Sequence, residues 1–252
     1  MCPDPQYDKP FHWWGPGWDA PSVSSIGDLL RDGTIDPGTA AVLWAALARR
    51  RSLAVIAGPS GAGKTMVLTA LLAFLPANTR RIYLRGCFET FAFLSDPAID
   101  PAQTALLINE ISPHLPVYLW GPAVAGVLEA ADIGFALLAT AHAASVPEFV
   151  ATMTGSPLRI AAPRVAAFEF VVALEKSAAS AGGHRVGGLW RLSRTRDGVS
   201  MVAAAPHGIP QESPPLWFPE RELQQRRRQL IDLRDGRLDR LPPLPARAEA
   251  EA

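Results

Sequence analysis

The chain has 252 residues, of which 48% are hydrophobic, enough for one large α/β domain with extensions. Its 24 basic and 24 acidic residues cancel, which argues against a nucleic-acid or membrane-surface role driven by bulk charge. Two cysteines, Cys2 and Cys87, give neither a disulfide framework nor metal-ligand spacing, so we expect a reducing, cytosolic setting. The first residues lack a signal-peptide pattern, and no apolar run is long enough to span a bilayer.

Residues 1–24 are rich in proline, glycine and tryptophan, which predicts an irregular N-terminal segment. Its tryptophans either pack back onto the domain or form a partner surface, and the large apolar area of the indole favours packing. They are Trp13, Trp14 and Trp18. A short helix is predicted over 25–31, followed by a longer one that Asp36 caps. The longer helix ends at the arginines of 49–51, which we expect to be solvated.

Residues 58–65, GPSGAGKT, fit the phosphate-binding loop pattern G-x-x-x-x-G-K-[ST] at every fixed position. The apolar run before them predicts a buried strand over 53–57, and the run after them predicts a helix over 66–75. A glycine-rich turn without a ligand is the alternative, but the strand–loop–helix order favours a nucleotide site. The predicted nucleotide-binding residues are Gly58, Pro59, Ser60, Gly61, Ala62, Gly63, Lys64, Thr65 and Met66. Lys64 is expected to reach the β- and γ-phosphates, and the Thr65 hydroxyl to ligate Mg²⁺.

The next elements alternate between strands and helices, which predicts an α/β fold with a mostly parallel sheet between helices. The predicted strands are 81–84, 105–108, 134–140 and 165–174, and the predicted helices occupy the later half of 115–131 and a segment capped by Ser145. Asp197 and Gly198 join two alternating runs in a predicted hairpin, so the sheet should close with antiparallel strands. We therefore divide the chain into the segment 1–24, a P-loop NTPase core over 25–204, and a C-terminal region over 205–252. That last region combines a proline-rich link, an arginine-rich helix with a solvated face, and a disordered tail.

Two further side chains are candidates for chemistry beside the loop. A P-loop enzyme needs an acidic group at a neighbouring strand end, and Glu110 follows an apolar strand. It is predicted to polarise the attacking water and to contribute to Mg²⁺ binding; an exposed strand-end carboxylate is the alternative. His142 follows the next apolar strand. It either senses the γ-phosphate or has a structural role.

The order of these features resembles the secretion ATPases of the type II/type IV superfamily, especially the pilus-assembly and VirB11-like branch. The resemblance covers about residues 26–204 and includes the P-loop, a Walker B glutamate matched by Glu110, and a histidine box matched by 140–143, Thr-Ala-His-Ala. It implies a RecA-like C-terminal core that hydrolyses Mg-ATP. It also implies a hexamer or another homo-oligomer and a cytoplasmic location, peripheral to the inner membrane through a secretion assembly. We expect the partners to be the nucleotide and motor or secretion components rather than nucleic acid.

The sequence also departs from that family. Its acidic box is reduced to Glu89, its arginine after the Walker B glutamate is absent, and Phe135 replaces the first histidine of its histidine box. The family's N-terminal domain has no counterpart in the residues before 26. A second hypothesis is therefore a degenerate paralogue that binds nucleotide and regulates or assembles with a complete motor. A third, a small-molecule or nucleotide kinase, lacks an arginine-bearing lid between Glu110 and Thr140.

Overall fold

The computed structural model describes residues 5–14, 24–58, 61–178, 180, 182–204 and 217–242. Its helices are α1 Ile26–Arg31, α2 Pro37–Ala48, α3 Lys64–Leu71, α4 Pro122–Asp132, α5 Val146–Thr154, α6 Ala162–Val165 and α7 Glu220–Arg234. Its strands are β1 Leu53–Ala57, β2 Arg80–Tyr83, β3 Thr104–Ile111, β4 Ala136–His142, β5 Phe170–Lys176, β6 His184–Arg194 and β7 Val199–Ala203. Short 3₁₀ turns lie at Pro5–Asp8, Leu72–Phe74, Gly86–Phe88, Ala92–Ser95 and Pro101–Gln103. The predictions for Trp18, for the link 205–216 and for the tail 243–252 fall outside the described residues.

The strands form one seven-stranded sheet in the order β2-β3-β4-β1-β5-β6-β7. The strands from β2 to β5 in that order pair in parallel, whereas β6 and β7 are antiparallel additions at one edge. This confirms the predicted α/β fold with a mostly parallel sheet that closes in antiparallel strands. Because β4 lies between β1 and β3, the carboxyl ends of these three strands meet at one edge of the sheet.

Side-chain alternation along β1 divides the interior into two cores. Leu53, Val55 and Ala57 face the core that is covered by α1, α2, α3 and α7. Ala54 and Ile56 face the opposite core, to which α4, α5 and α6 contribute. Every residue of β1 is buried, as expected for a central strand covered on both faces. In the part of the chain that the structure describes, no helix is both long and apolar enough to cross a membrane.

Helices α2 and α5 are capped at their N-termini by the residues that the sequence predicts. The Asp36 carboxylate accepts the backbone N–H groups of Gly38 and Thr39 at 2.8 and 3.0 Å, which starts α2 at Pro37 as predicted. At α5 the Ser145 hydroxyl accepts the N–H of Glu148 at 3.2 Å. The Glu148 carboxylate reaches back to the N–H of Ala144 rather than to that of Ser145. The capping pair therefore also fixes the chain that leaves β4.

Several strand boundaries differ from the sequence prediction. Strand β4 runs over Ala136–His142 rather than 134–140, so His142 ends this strand instead of following it. Strand β3 continues through Asn109 and Glu110 to Ile111, so Glu110 lies inside the strand rather than after it. The predicted strand 165–174 begins instead at Phe170. The residues before it belong partly to α6, where Pro163 occupies the first turn, a position that favours a helix.

The C-terminal helix α7 packs against α2, and Leu230 is fully buried in the core that they share. Arg49 donates two hydrogen bonds to Glu222, at 2.8 and 2.9 Å. Arg226 binds the same carboxylate at 2.9 Å and lies over the Trp44 ring at 4.8 Å from its centroid. The prediction of solvated arginine faces is therefore wrong for Arg49 and Arg226, whose long side chains have an apolar stem that can pack in an interface. Arg227 and Arg228 are exposed, as predicted.

The N-terminal segment 5–14 lies against the outer strand β2 and the helix α3. Trp13 is buried, and its indole N–H donates to the Thr69 hydroxyl at 2.8 Å. Its ring meets that of Tyr83 edge to face, and Asp8 forms an ion pair with Arg80 on the same strand. Packing onto the domain, the favoured of the two roles for the tryptophans, is confirmed for Trp13.

Candidate functional site

The carboxyl ends of β1, β4 and β3 form what we call the loop edge, where the glycine loop turns into α3. Gly61 and Gly63 have φ values of +75° and +79°, a left-handed backbone that glycine adopts without strain. A Cβ atom at Gly58 would lie 3.0 Å from the Cβ atom of Ala144, so the start of the loop packs closely on the chain leaving β4. Pro59 and Ser60 lie outside the described residues.

Gly63 precedes the first residue of α3, and no side chain caps this helix at that position. The first N–H groups of a helix carry a partial positive charge and need partners. A phosphate group satisfies both needs, and the left-handed glycines let the backbone approach it closely. The described residues of the loop therefore fit an anionic phosphate ligand.

Lys64 begins α3, and its side chain is only 6% exposed. Its ammonium nitrogen lies 3.4 Å from Oε2 of Glu110, whose side chain is 14% exposed. Lysine is almost never buried this far without a partner, because desolvation disfavours its charged form. The structure thus brings together two predicted site residues that are 46 positions apart in the sequence.

A β-bulge sets the position of Glu110. Ile108 pairs with Ala139 and Ile111 pairs with Ala141, so two residues of β3 oppose the single residue Thr140 of β4. Such a bulge bends the strand and changes the direction of its side chains. It explains how Glu110 lies within a central strand and still makes contact with Lys64.

Asn109, the other residue of the bulge, holds this irregular backbone in place. Its side chain accepts the N–H of Glu110 at 2.8 Å and donates to the carbonyl of Val117 at 2.9 Å. The buried Thr140 hydroxyl donates to the Asn109 carbonyl. The bulge therefore has partners for its backbone groups, which makes it a fixed feature of the fold.

His142 ends β4, opposite Ala57 of β1, and it has a histidine neighbour. His114 lies on the excursion, by which we mean the connection 112–121 between β3 and α4. The centroid of its ring is 4.7 Å from that of the His142 ring, and the two ring planes are inclined at 78°. Each of Glu110, His114 and His142 offers a ligand atom, and these three atoms lie within 4.8 Å of one another. Sequence reasoning missed His114, because no spacing in the sequence predicts its contact with His142.

Tyr118 is a second residue that the sequence analysis missed. Partial burial raises the pKa of its phenol, and the nearby negative charge of Glu110 raises that pKa further. The excursion that carries Tyr118 returns to β3, because Leu119 donates its N–H to the Glu110 carbonyl at 2.9 Å. The phenol therefore belongs to the environment of the Glu110 carboxylate.

Glu89 has a local role in the structure. Its carboxylate accepts the backbone N–H groups of Arg85 and Phe91, both within 2.9 Å, and the hydroxyl of Tyr7 at 3.1 Å. These bonds close the turn that follows β2 and attach the N-terminal segment to it. The carboxylate that we considered as the remnant of an acidic box thus serves its own loop.

Thr65 and Met66 follow Lys64 in the first turn of α3. The Thr65 carbonyl accepts the Thr69 hydroxyl at 2.6 Å, and the same hydroxyl receives the Trp13 indole N–H. The Met66 sulfur accepts the Ser24 hydroxyl at 3.5 Å. Contacts from the chain that precedes the core therefore support the helix that carries Lys64.

No protein-family model matches this chain, and no curated protein matches it by sequence. Among solved structures, it is similar to the VirB11 ATPase of the Brucella suis type IV secretion system, in complex with sulphate, with 18% identity and a TM-score of 0.42. The match covers 59% of this chain and spans half the length of that one. A likeness this weak carries no argument about the fold or the function of this chain.

Proposed function

We propose that this chain binds Mg-ATP at the loop edge and hydrolyses it. The observation that carries the proposal is the contact of the buried Lys64 ammonium with the Glu110 carboxylate, at 3.4 Å, beside the left-handed glycines. These are the groups that phosphoryl transfer needs: backbone N–H groups and a lysine for the phosphates, and a carboxylate to orient water. When bound, Mg²⁺ neutralises charge on the phosphate oxygens, and Thr65 and Glu110 are the residues that would hold it.

Each residue then has a role that follows from its position. Lys64 turns from Glu110 to the phosphate oxygens, because a phosphate carries more negative charge than one carboxylate. Glu110, relieved of that contact, orients the attacking water. His142 borders the same site from β4 and senses the γ-phosphate. The bulge fixed by Asn109 keeps the Glu110 backbone in position, so that little reorganisation is needed during the reaction.

The sequence motifs extend the proposal to a cellular role. In order and spacing, Glu110 and residues 140–143 resemble the Walker B glutamate and the histidine box of a secretion or pilus-assembly motor. We therefore assign the chain to that type of motor, with a P-loop core over 25–204. It would work as a cytoplasmic homo-oligomer, hexameric by resemblance, peripheral to the inner membrane and coupled to secretion components.

One observation favours a second function, a nucleotide-binding subunit that does not turn over alone. The Glu89 carboxylate accepts three hydrogen bonds from its own neighbourhood, so it is committed to the fold. A partner subunit would then have to supply the missing charges. In this alternative the chain binds ATP tightly and stimulates, or is stimulated by, a complete motor.

The deciding experiment measures ATP binding, Mg²⁺-dependent hydrolysis and molecular mass on the same preparation. Lys64→Ala should lose ATP binding and hydrolysis together. Glu110→Gln should still bind ATP, but its rate of hydrolysis should fall by at least about a hundredfold. Lys9→Ala and Glu129→Gln are matched controls, since both residues are exposed, Lys9 in the N-terminal segment 5–14 and Glu129 on α4. Binding without turnover selects the alternative function. Absence of binding by the wild type rejects both functions.

A further inference from the structure

Glu110, His114 and His142 together offer a set of metal ligands that differs from the set used for Mg²⁺ in a P-loop protein. Their ligand atoms all lie within 4.8 Å of one another, and the two imidazole rings are in contact. Mg²⁺ is a hard ion that prefers oxygen ligands and retains water, so two imidazoles suit it poorly. Two imidazoles and one carboxylate are instead a ligand set for Zn²⁺ and for related ions such as Co²⁺.

The backbone holds all three residues before any ion arrives. Glu110 is fixed by the bulge, and His142 is paired within the sheet to β1. The backbone N–H of His114 donates to the Ser112 hydroxyl at 3.2 Å, and the backbone N–H of Ser112 donates to the Leu119 carbonyl at 3.2 Å. Ligands on a fixed backbone lose little conformational entropy when they bind an ion.

We propose that Glu110, His114 and His142 form a binding site for a divalent transition metal of the Zn²⁺ type, distinct in chemistry from the Mg²⁺ that accompanies ATP. Three protein ligands leave a fourth position open to water or to another ligand. The site requires no nucleotide, so it does not depend on the proposed function.

Lys64 competes with this ion for the same carboxylate. Its ammonium lies 3.4 Å from Glu110, so removal of that positive charge leaves the carboxylate to the metal. Conversely, an ion that holds Glu110 prevents it from orienting water. Zn²⁺ should therefore inhibit ATP hydrolysis, a consequence that does rest on the proposed function.

The test uses the untagged full chain without nucleotide. Zn²⁺ affinity is measured by competition with a chromogenic chelator, and Co²⁺ binding by its visible absorption. We expect one ion per chain, with affinity reduced at least about tenfold by His114→Ala, His142→Ala or Glu110→Gln. His184→Ala is the matched control, because β4, β1 and β5 separate β6, which carries His184, from β3, which carries Glu110, and it should leave the affinity unchanged.

Lys64→Ala provides a test in the opposite direction, since it should tighten Zn²⁺ binding severalfold. A variant that merely misfolds cannot produce this gain. Excess Mg²⁺ should leave the bound Zn²⁺ in place. The proposal is overturned if His114→Ala and His142→Ala bind Zn²⁺ as the wild type does, if Lys64→Ala fails to tighten binding, or if Mg²⁺ displaces the ion. Because no nucleotide is present, failure here is separate from failure of ATP hydrolysis.

Discussion

The carboxylates of Glu222 and Glu110 are both paired with positive charge, but the two clusters are built differently. Glu222 receives hydrogen bonds from Arg49 and Arg226 at 2.8 to 3.1 Å, and the three side chains join α7 to the end of α2. Glu110 meets Lys64 at 3.4 Å, a looser contact at the loop edge. The Glu222 cluster uses the hydrogen-bonding capacity of its carboxylate to attach one helix to another. The Lys64–Glu110 pair keeps much of that capacity for a ligand.

The largest expected effect is on the Glu222 cluster. Glu222→Ala leaves two guanidinium groups without their shared partner, so we expect it to lower the free energy of unfolding by about 3 kcal/mol. Urea denaturation measures this loss. Glu220→Ala is the control, because Glu220 is exposed two residues before Glu222 and bonds only to Gln224 among the described residues. A loss of equal size in both variants would contradict the assignment.

The same cluster should make stability depend on pH. Burial acts to raise the pKa of Glu222, but the hydrogen bonds from Arg49 and Arg226 outweigh it, so the pKa lies below its ordinary value of 4.5. A carboxyl with a lowered folded pKa contributes stability above its unfolded pKa and loses it as pH falls through the folded pKa. The stability difference between wild type and Glu222→Gln should therefore narrow below pH 4.5. If the stability difference between the two proteins stays constant below that pH, the ionisation of Glu222 is not its cause.

At the loop edge, a comparable substitution should cost little stability. Lys64→Met combined with Glu110→Gln removes both charges of the pair and leaves no buried charge without its partner, so the free energy of unfolding should change by no more than about 1 kcal/mol. Nucleotide binding should nevertheless be lost. Thermal denaturation and binding of a fluorescent ATP analogue, measured on one sample, test both expectations. A loss of stability as large as that of Glu222→Ala would make the two clusters equivalent.

The smallest effect concerns Tyr118. Because the Glu110 charge contributes to the raised pKa of this phenol, Glu110→Gln should lower that pKa towards its ordinary value. Burial remains, so the pKa should stay raised. The ultraviolet absorbance of phenolate reports the titration, and subtraction of the Tyr118→Phe spectrum separates Tyr118 from Tyr7 and Tyr83. An unchanged titration would place the carboxylate farther from the phenol.

Much of the fold follows from local pattern. The apolar run of β1, the Asp36 cap and the hairpin at Gly198 each act over a few residues, so the sequence predicts them directly. The bulge at Asn109 is different, because it depends on the pairing of β3 with β4 and leaves no mark in the composition of either strand. Prediction therefore placed Glu110 after the strand instead of within it.

The candidate site was predictable in the same uneven way. Lys64 and Glu110 belong to sequence motifs that predict their chemistry directly. His114 contacts His142 only because a short excursion folds back to β3, and pairing at that distance is not encoded in a spacing. The arginines of α2 and α7 were interpreted as solvated for a similar reason, since the partner of Arg49 is 173 positions away.

Gly86 illustrates how far the support of the site extends. Its φ is +58°, and a Cβ atom there would lie 2.1 Å from the Val117 carbonyl oxygen, on the excursion that carries His114. The Asn109 side chain binds the same oxygen at 2.9 Å. In a saturation mutagenesis screen for activity, position 86 should thus tolerate substitution as poorly as a ligand-binding position. A glycine that approaches no ligand would score as part of the active centre.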